Sequence, residues 1–582
     1  MLRASWPLSA LVAALVVVSP AQGADPPATT PPPAATKMPY KWVYISKNFM
    51  DGKNVDATIE VLTRAAKAGY NGIYVTDCKF SRFFETVTVT RPEYDNNLKR
   101  LRQACRDLKL AIYASTCNFD LDLLSNDPNL AEGMPVVEAP FVVRNGKLIA
   151  VDDDAKVQNP SFESAMKPDS PTGWNVDDPG SVCFIDTTVA CEGSSSLRIQ
   201  DIAGKNAHGN GRATQVLAVK PFRYYNLSMK VKTEDFVHTN SFGFAVKGAQ
   251  DLAYERYEIQ GTQDWTRIDI PFNTLDNTQV TVMVGSWGGK SGKLWIDDVR
   301  IEPGGFVNLL RRESLPFIMT STDKSVTFSE GSDFTDARDP KLGNTRWPGL
   351  YQYWYEQPVV TVPAKSRLKE GDRVLVSYAH AAFGDGVVSC MNEANVWPIM
   401  QRNLHELHTI LQPDGYILPH DEIRCQGWDA TCTKVGKPMA TVLGEHFNHC
   451  ADLIRAEDPG KPIFVWSDMF DPHHNASKKN EYYHLVKGID PWYGSWEALG
   501  KDIIILNWHG FAEKRPESLK HFADRGNHQI LCGYYDESSD NMIPWLAETK
   551  GLRGIDGVMY TSWSNNYSEL EHFLEVVGRS RP

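Results

Sequence analysis

Ten residues, Gly415 to Arg424, read Gly-Tyr-Ile-Leu-Pro-His-Asp-Glu-Ile-Arg. A short run of strand formers ends in His420, Asp421, Glu422 and Arg424, four ionisable groups within five positions. A buried core has no use for such a cluster. Two consecutive acids at the carboxyl end of an apolar strand suit general acid chemistry: one carboxyl gives a proton to a leaving oxygen, and its neighbour stabilises the charge that develops. An adjacent anion at Asp421 also favours the protonated form of Glu422. Strand alternation would place His420 on the side of Leu418 and Glu422, and Arg424 is expected to pair locally with a carboxylate.

Other chemistry-bearing residues stand where further strand-like runs end. They are Asp77 in the second run, Trp466 and Asp468 in the fifth, and Asn507, Trp508 and His509 around the end of the sixth. Tyr535 and Asp536 end the seventh run, with Glu537 next to it, and Trp563 comes after the eighth. Carboxylates, amides and flat aromatics at one mouth are what a sugar-cleaving pocket requires: an acid, an anion for an oxocarbenium-like state, and walls for the ring.

The elements that would bring these residues together alternate strand and helix. Strands are expected at 41–46, 72–77, 110–116, 416–421, 462–468, 502–507, 529–536 and 557–562, with amphipathic helices between them, such as 56–68 and 443–456. This predicts an α/β fold, a (β/α)8 TIM barrel, with an inserted β-sandwich (jelly-roll) domain after strand three. An open doubly wound sheet is less suited, because no Gly-rich phosphate turn comes after the first strand.

The expected boundaries are a signal peptide at 1–23, a Pro/Ala/Thr-rich linker at 24–38, barrel strands one to three at 39–150, a β-sandwich at 151–304, a barrel loop extension at 305–413 and strands four to eight at 414–582. Arg3, the apolar run Leu8–Val18 and the small residues Ala21 and Gly23 form the targeting signal, too short to remain as a membrane span and implying export, periplasmic or secreted. In an exported chain the ten cysteines are candidates for pairing, Cys183 with Cys191 and Cys425 with Cys432 being close in sequence. The net charge of -12 is spread without blocks, which argues against nucleic acid or an anionic membrane as partner.

Two resemblances sharpen this reading. Val157–Glu163, Gly173-Trp174, Ser195–Ile199 and Leu294–Ile301 resemble, in that order, the galactose-binding-like jelly rolls of carbohydrate-binding modules. The resemblance implies a β-sandwich, with Asp297 and Asp298 as candidate ligands of a structural calcium. Asp421-Glu422 after strand four, Tyr535 at strand seven and Trp466, Trp508 and Trp563 at strands five, six and eight resemble the β-N-acetylhexosaminidases of glycoside hydrolase family 20. The resemblance implies Glu422 as acid/base, Asp421 orienting a substrate 2-acetamido group that serves as nucleophile, Tyr535 donating to the acetamido oxygen and Trp563 walling the pocket, with no cofactor for catalysis. Where that family has His-x-Gly-Gly before Asp-Glu, this chain has Ile417-Leu418-Pro419-His420.

Three alternatives remain. A retaining β-glycosidase would use Glu422 as acid/base with Asp536 or Glu537 as nucleophile; a lapsed catalyst would only bind glycans; a metal-dependent hydrolase would use Asp471, His473 and His474. In each glycan reading the partner is an oligo- or polysaccharide. Trp347, Tyr351, Tyr353, Trp354 and Tyr355 are either cleft walls or packing.

Overall fold

The computed structural model describes residues 38–84, 90–152, 154–206, 208–257, 259–343, 351, 354–383, 386–479 and 485–580. The expected signal peptide, all of the linker except Met38, and Trp347 and Tyr353 lie outside the described residues.

Eight parallel strands close into a barrel in sequence order: β1 Tyr40–Ser46, β2 Gly72–Thr76, β3 Ala111–Ser115, β4 Gly415–Leu418, β5 Ile463–Trp466, β6 Ile503–Asn507, β7 His528–Leu531 and β8 Ile555–Tyr560. Closure is made by β1, which pairs with β2 through Trp42 and Gly72 and with β8 through Trp42 and Met559. The longer helices are α1 Gly52–Ala68, α2 Arg91–Asp107, α3 Val396–Leu411, α4 Met439–Glu457, α5 Arg515–Arg525, α6 Met542–Glu548 and α7 Leu570–Arg579. Between β5 and β6, where a helix was expected, the described residues carry two 3-10 turns, Asp468–Phe470 and Ser495–Ala498, and a short strand, Leu485–Val486.

Alternation in short buried strands aims every second side chain inward, and here the inward set is unusually aromatic. Trp42, Tyr44, Tyr74, Tyr113, Phe464 and Trp466 form one interior cluster with aliphatic residues of the remaining strands. Trp42 stacks on Tyr113 with ring centroids 4.0 Å apart. Rings of that size leave no room for a neighbour: a Cβ at Gly72 would lie 2.9 Å from the Trp42 ring, and one at Gly415 2.9 Å from Tyr113.

The chain between β3 and α3 builds two further bodies of sheet. Five strands pair in the order Gln263–Asn273, Tyr224–Glu234, Lys293–Pro303, Ser196–Gln200, Cys183–Asp186, and five more in the order Asp251–Arg256, Phe242–Lys247, Gln279–Trp287, Asn210–Ala218, Asn175–Val176. Leu227, Val231 and Ile296 of the first sheet share a core with Leu217, Phe244 and Val282 of the second, so the two pack as a β-sandwich.

The expected segmentation requires a correction around the sandwich. Met134–Arg144 pairs with Arg373–His380 and with Lys147–Ala150, and Ile318–Ser321 and Thr327–Phe328 complete the same sheet. Residues 134–150 therefore belong with 309–380 in a small sheet with its own core, not with the first barrel strands. Sequence periodicity cannot reveal this, because the partner strands are more than 200 residues apart. Tyr351 and Tyr355 serve as packing: Tyr351 is buried with its hydroxyl on the Pro128 carbonyl at 2.6 Å, and Tyr355 donates to Asp339. Trp354 packs against the small sheet's core.

All ten cysteines are free, so neither expected disulfide is formed. Among the described residues no helix is long and apolar enough to cross a membrane.

Candidate active site

β4 stops at Leu418, because Pro419 has no N–H for the ladder. The chain turns immediately beyond it, so strand alternation no longer governs where the side chains point. His420 is fully buried, its Nε2 3.1 Å from Nδ1 of His446 on α4, and it does not face the pocket as expected. Asp421 and Glu422 do. Glu422 adopts the left-handed region, φ 47°, a conformation that costs a non-glycine residue about 1 kcal/mol. Its N–H donates to Asp468 Oδ2 at 2.8 Å, which holds the turn in that shape.

Asp468 ties three strand ends together. Besides the Glu422 N–H, it accepts from Asn475 Nδ2 at 2.8 Å and from the Trp508 indole at 3.2 Å. Ser467 and Trp508 exchange two more hydrogen bonds, of 3.1 and 3.2 Å, between the ends of β5 and β6. Asp468 is fully buried, and burial pushes its carboxyl up to about 7 despite these donors, the Glu422 carboxylate adding to the rise. Loss of water, then the nearby Asp468 and Glu422, hold the Asp421 carboxyl well above the usual range.

Asp421, Glu422, Trp466, Trp508, Tyr535 and Trp563 line one pocket of about 280 Å³. Trp563 is 50% exposed, an aromatic face open to a ligand, and its ring lies 6.1 Å from Trp466. The Tyr535 hydroxyl is buried beside the His509 backbone, which hydrogen-bonds to it, and burial raises its pKa. The pocket thus offers a buried hydroxyl beside two carboxyls and three indoles. Arg424 pairs with Glu422 at 3.2 Å, as expected of a local partner.

A larger adjoining pocket, about 540 Å³, shares Asp421 and Glu422 and is lined further by Arg82, Asp120, Asp122 and Val388. Burial, then Asp120, push the Asp122 carboxyl up to about 8. Sequence reading passed over this acidic wall because Asp120 and Asp122 come after the third strand, where the helical alternation stops. Tyr44 and Tyr74 were also missed: their rings lie 5.0 Å from Trp563 and 5.8 Å from Trp466. Their signal was available in the inward alternation Trp42, Tyr44.

Several expected site residues serve the scaffold instead. Asp77 is buried and accepts from the N–H groups of Phe49 and Lys79, from Lys79 Nζ and from the Tyr94 hydroxyl. Asn507 donates to Ser518 and Gln529 inside the wall. His509 lies against His474 and the His473 carbonyl, outside the pocket lining. Asp536 accepts the N–H groups of Trp563 and Ser564 at 2.8 and 2.7 Å, so it sets the pose of the Trp563 loop. Glu537 is exposed, beside Asn541. Neither Asp536 nor Glu537 lines the pocket that holds Glu422.

In the sandwich, Asp297 accepts from the backbone N–H groups of Cys191, Glu192 and Asp298, and Asp298 pairs with Arg300. Asp471 accepts the His473 N–H, and the His474 ring packs on Trp508 and His509.

No family model matches the chain. A tRNA(Glu)-specific nuclease WapA of Bacillus subtilis subsp. natto is 32% identical over 151 residues, 23% of this chain, and a tRNA nuclease WapA of Bacillus subtilis strain 168 is 30% identical over 148 residues. The chain spans 6% of the length of either relative. Among solved structures, a family 61 carbohydrate-binding module in complex with β-1,4-galactotriose shares 14% identity at a TM-score of 0.21, covering 26% of this chain and 98% of that one. The xylan-binding CBM22-1 domain of Paenibacillus barcinonensis Xyn10C shares 16% identity at 0.18, covering 25% and 90%.

Proposed function

We propose that this chain is an exported glycoside hydrolase built on a (β/α)8 plan, acting on N-acetylhexosamine-containing oligo- or polysaccharides. The observation that carries the reading is the single pocket in which Asp421 and Glu422 meet three tryptophans and the buried hydroxyl of Tyr535. Its volume lies at the small end for ligand sites, suited to one sugar ring, and the adjoining pocket that shares both carboxyls gives room for the next.

In this reading Glu422 protonates the glycosidic oxygen as the C1–O bond breaks. The carbonyl oxygen of the substrate's own 2-acetamido group closes on C1, Asp421 takes that group's N–H, and Tyr535 donates to its carbonyl oxygen. Water then opens the ring intermediate, with Glu422 accepting its proton. Trp466, Trp508 and Trp563 wall the sugar and keep bulk water away. Substrate assistance is favoured over a strand-seven nucleophile because Asp536 is engaged by two backbone donors and Glu537 is turned to solvent.

The test is hydrolysis of aryl glycosides with and without a 2-acetamido group. Turnover confined to the N-acetylhexosaminides, reduced about 100-fold or more by Glu422→Gln, is expected. Turnover of plain hexosides that survives Asp421→Asn and is abolished by Asp536→Asn would move the nucleophile to strand seven. Saturable glycan binding with no turnover of any glycoside would leave a lapsed catalyst.

A further inference from the structure

Behind the turn that carries Asp421, three buried side chains bring their donor atoms to one point. His420, His446 and Cys450 place a ring nitrogen, a ring nitrogen and a thiol within 4.8 Å of one another. His420 Nε2 is 3.1 Å from His446 Nδ1, which is 3.9 Å from Cys450 Sγ. His446 and Cys450 stand four residues apart on α4 and so share one face. Cys117, just past β3, is buried as well and hydrogen-bonds to Cys450.

Packing alone does not call for this grouping. Two imidazoles that share one hydrogen bond leave His446 Nε2 buried without a hydrogen-bond partner, against the rings of Phe119 and Trp397, while the His420 ring also bonds the Leu418 backbone, which fixes its orientation. The spacing is close to that of a coordination sphere, within a few tenths of an ångström for the two separations. Zinc at about 2.0–2.1 Å from nitrogen and about 2.3 Å from sulfur, in a tetrahedron, sets neighbouring donors about 3.3–3.7 Å apart. The two separations bracket that interval. Nitrogen and sulfur donors in a dry setting select a borderline-soft cation over calcium or magnesium. A second grouping, Glu132 with Cys390 and Cys432, offers Glu132 Oε2, but it is less suited because both sulfurs are already engaged, Cys432 by the Asn392 amide and Cys390 by the Thr431 hydroxyl, each at 3.1 Å.

We infer that this chain holds a structural divalent cation of the zinc class through His420 Nε2, His446 Nδ1 and the Cys450 thiolate, with Cys117 the nearest donor for a fourth position. The Cys450 proton leaves to solvent as the sulfur–metal bond forms. The cation ties the residue before Asp421 to α4 and stiffens the turn from behind. It takes no part in the reaction, so the inference stands apart from the glycosidase reading.

The experiment uses the full chain, purified with a reductant, stripped by chelator and titrated with Co²⁺ and then Zn²⁺. The expected result is one equivalent of tetrahedral cobalt with a thiolate charge-transfer band, displaced by Zn²⁺. Cys450→Ser is expected to abolish that band, His446→Ala to weaken binding by about 100-fold, and Cys432→Ser to change nothing. Absence of a saturable cobalt spectrum in the wild type, an unchanged spectrum in both ligand variants, or loss of the spectrum in Cys432→Ser overturns the assignment. So does a Cys117–Cys450 disulfide in the protein isolated without reductant. Should the variants fail to fold, Zn²⁺ must protect Cys450 of the wild type from alkylation, read by peptide mass; equal labelling with and without Zn²⁺ overturns it.

Discussion

Asp77 and Asp468 stand one and two residues past the ends of β2 and β5, both buried, both accepting several hydrogen bonds, and in the sequence they look alike. Their partners separate them. Asp77 is closed off by a cation, Lys79 Nζ at 3.1 Å, and by donors that fix the local turn and α2. Asp468 has neutral donors only, and two of them are the backbone of Glu422 and the indole of Trp508, both pocket residues. An acid at a strand end is therefore scaffold or site according to whose atoms it holds. Asp77 stabilises the barrel, whereas Asp468 shapes the pocket.

Substitution should split the two cleanly. Asp468→Ala releases the Glu422 turn and the Trp508 ring together, and kcat/KM on the best aryl glycoside is expected to fall about 100-fold or more, with most of the fold retained. Asp77→Ala leaves Lys79 buried without its anion and should cost about 3 kcal/mol in urea unfolding, while activity per folded molecule stays near wild type. Equal activity losses in the two variants would erase the distinction. Smaller, about tenfold, is the effect expected for Tyr535→Phe, which keeps the ring and removes one donor; it should appear in kcat on N-acetylhexosaminides and be absent from binding of a plain sugar.

The barrel was legible because its strands are short apolar runs between amphipathic helices, and the pair Asp421-Glu422 because nothing in a core explains it. Trp466, Trp508, Tyr535 and Trp563 were legible from their places at strand ends. His420 was misread because Pro419 ends β4 and a turn reverses which side chains point inward. Asp77, Asn507 and His509 were misread because their partners, Tyr94, Gln529 and the His473 carbonyl, lie 17 to 36 residues away. Asn475 is only 7 residues from Asp468, but no periodic pattern marks the loop that brings its amide there. The sheet joining 134–150 to 309–380 left no periodic trace, since pairing over such a separation is decided by tertiary packing.

The last effect concerns the proton of Asp468. Its carboxyl is raised to about 7 in the folded chain, chiefly by burial, so between about pH 4 and 7 the folded state binds more protons than the unfolded one. Its contribution to stability is therefore present in full below about pH 4 and is lost as pH rises through 7, with a slope of at most about 1.4 kcal/mol per unit. Asp468→Asn removes that ionisation, yet its amide nitrogen must face one of three donors, so the variant should be less stable at pH 4.5 and closer to wild type at pH 8. Urea unfolding of both proteins at the two pH values reads the difference. A gap that widens toward pH 8 would mean that Asp468 is held ionised by its donors, and the contrast with Asp77 would then rest on position alone.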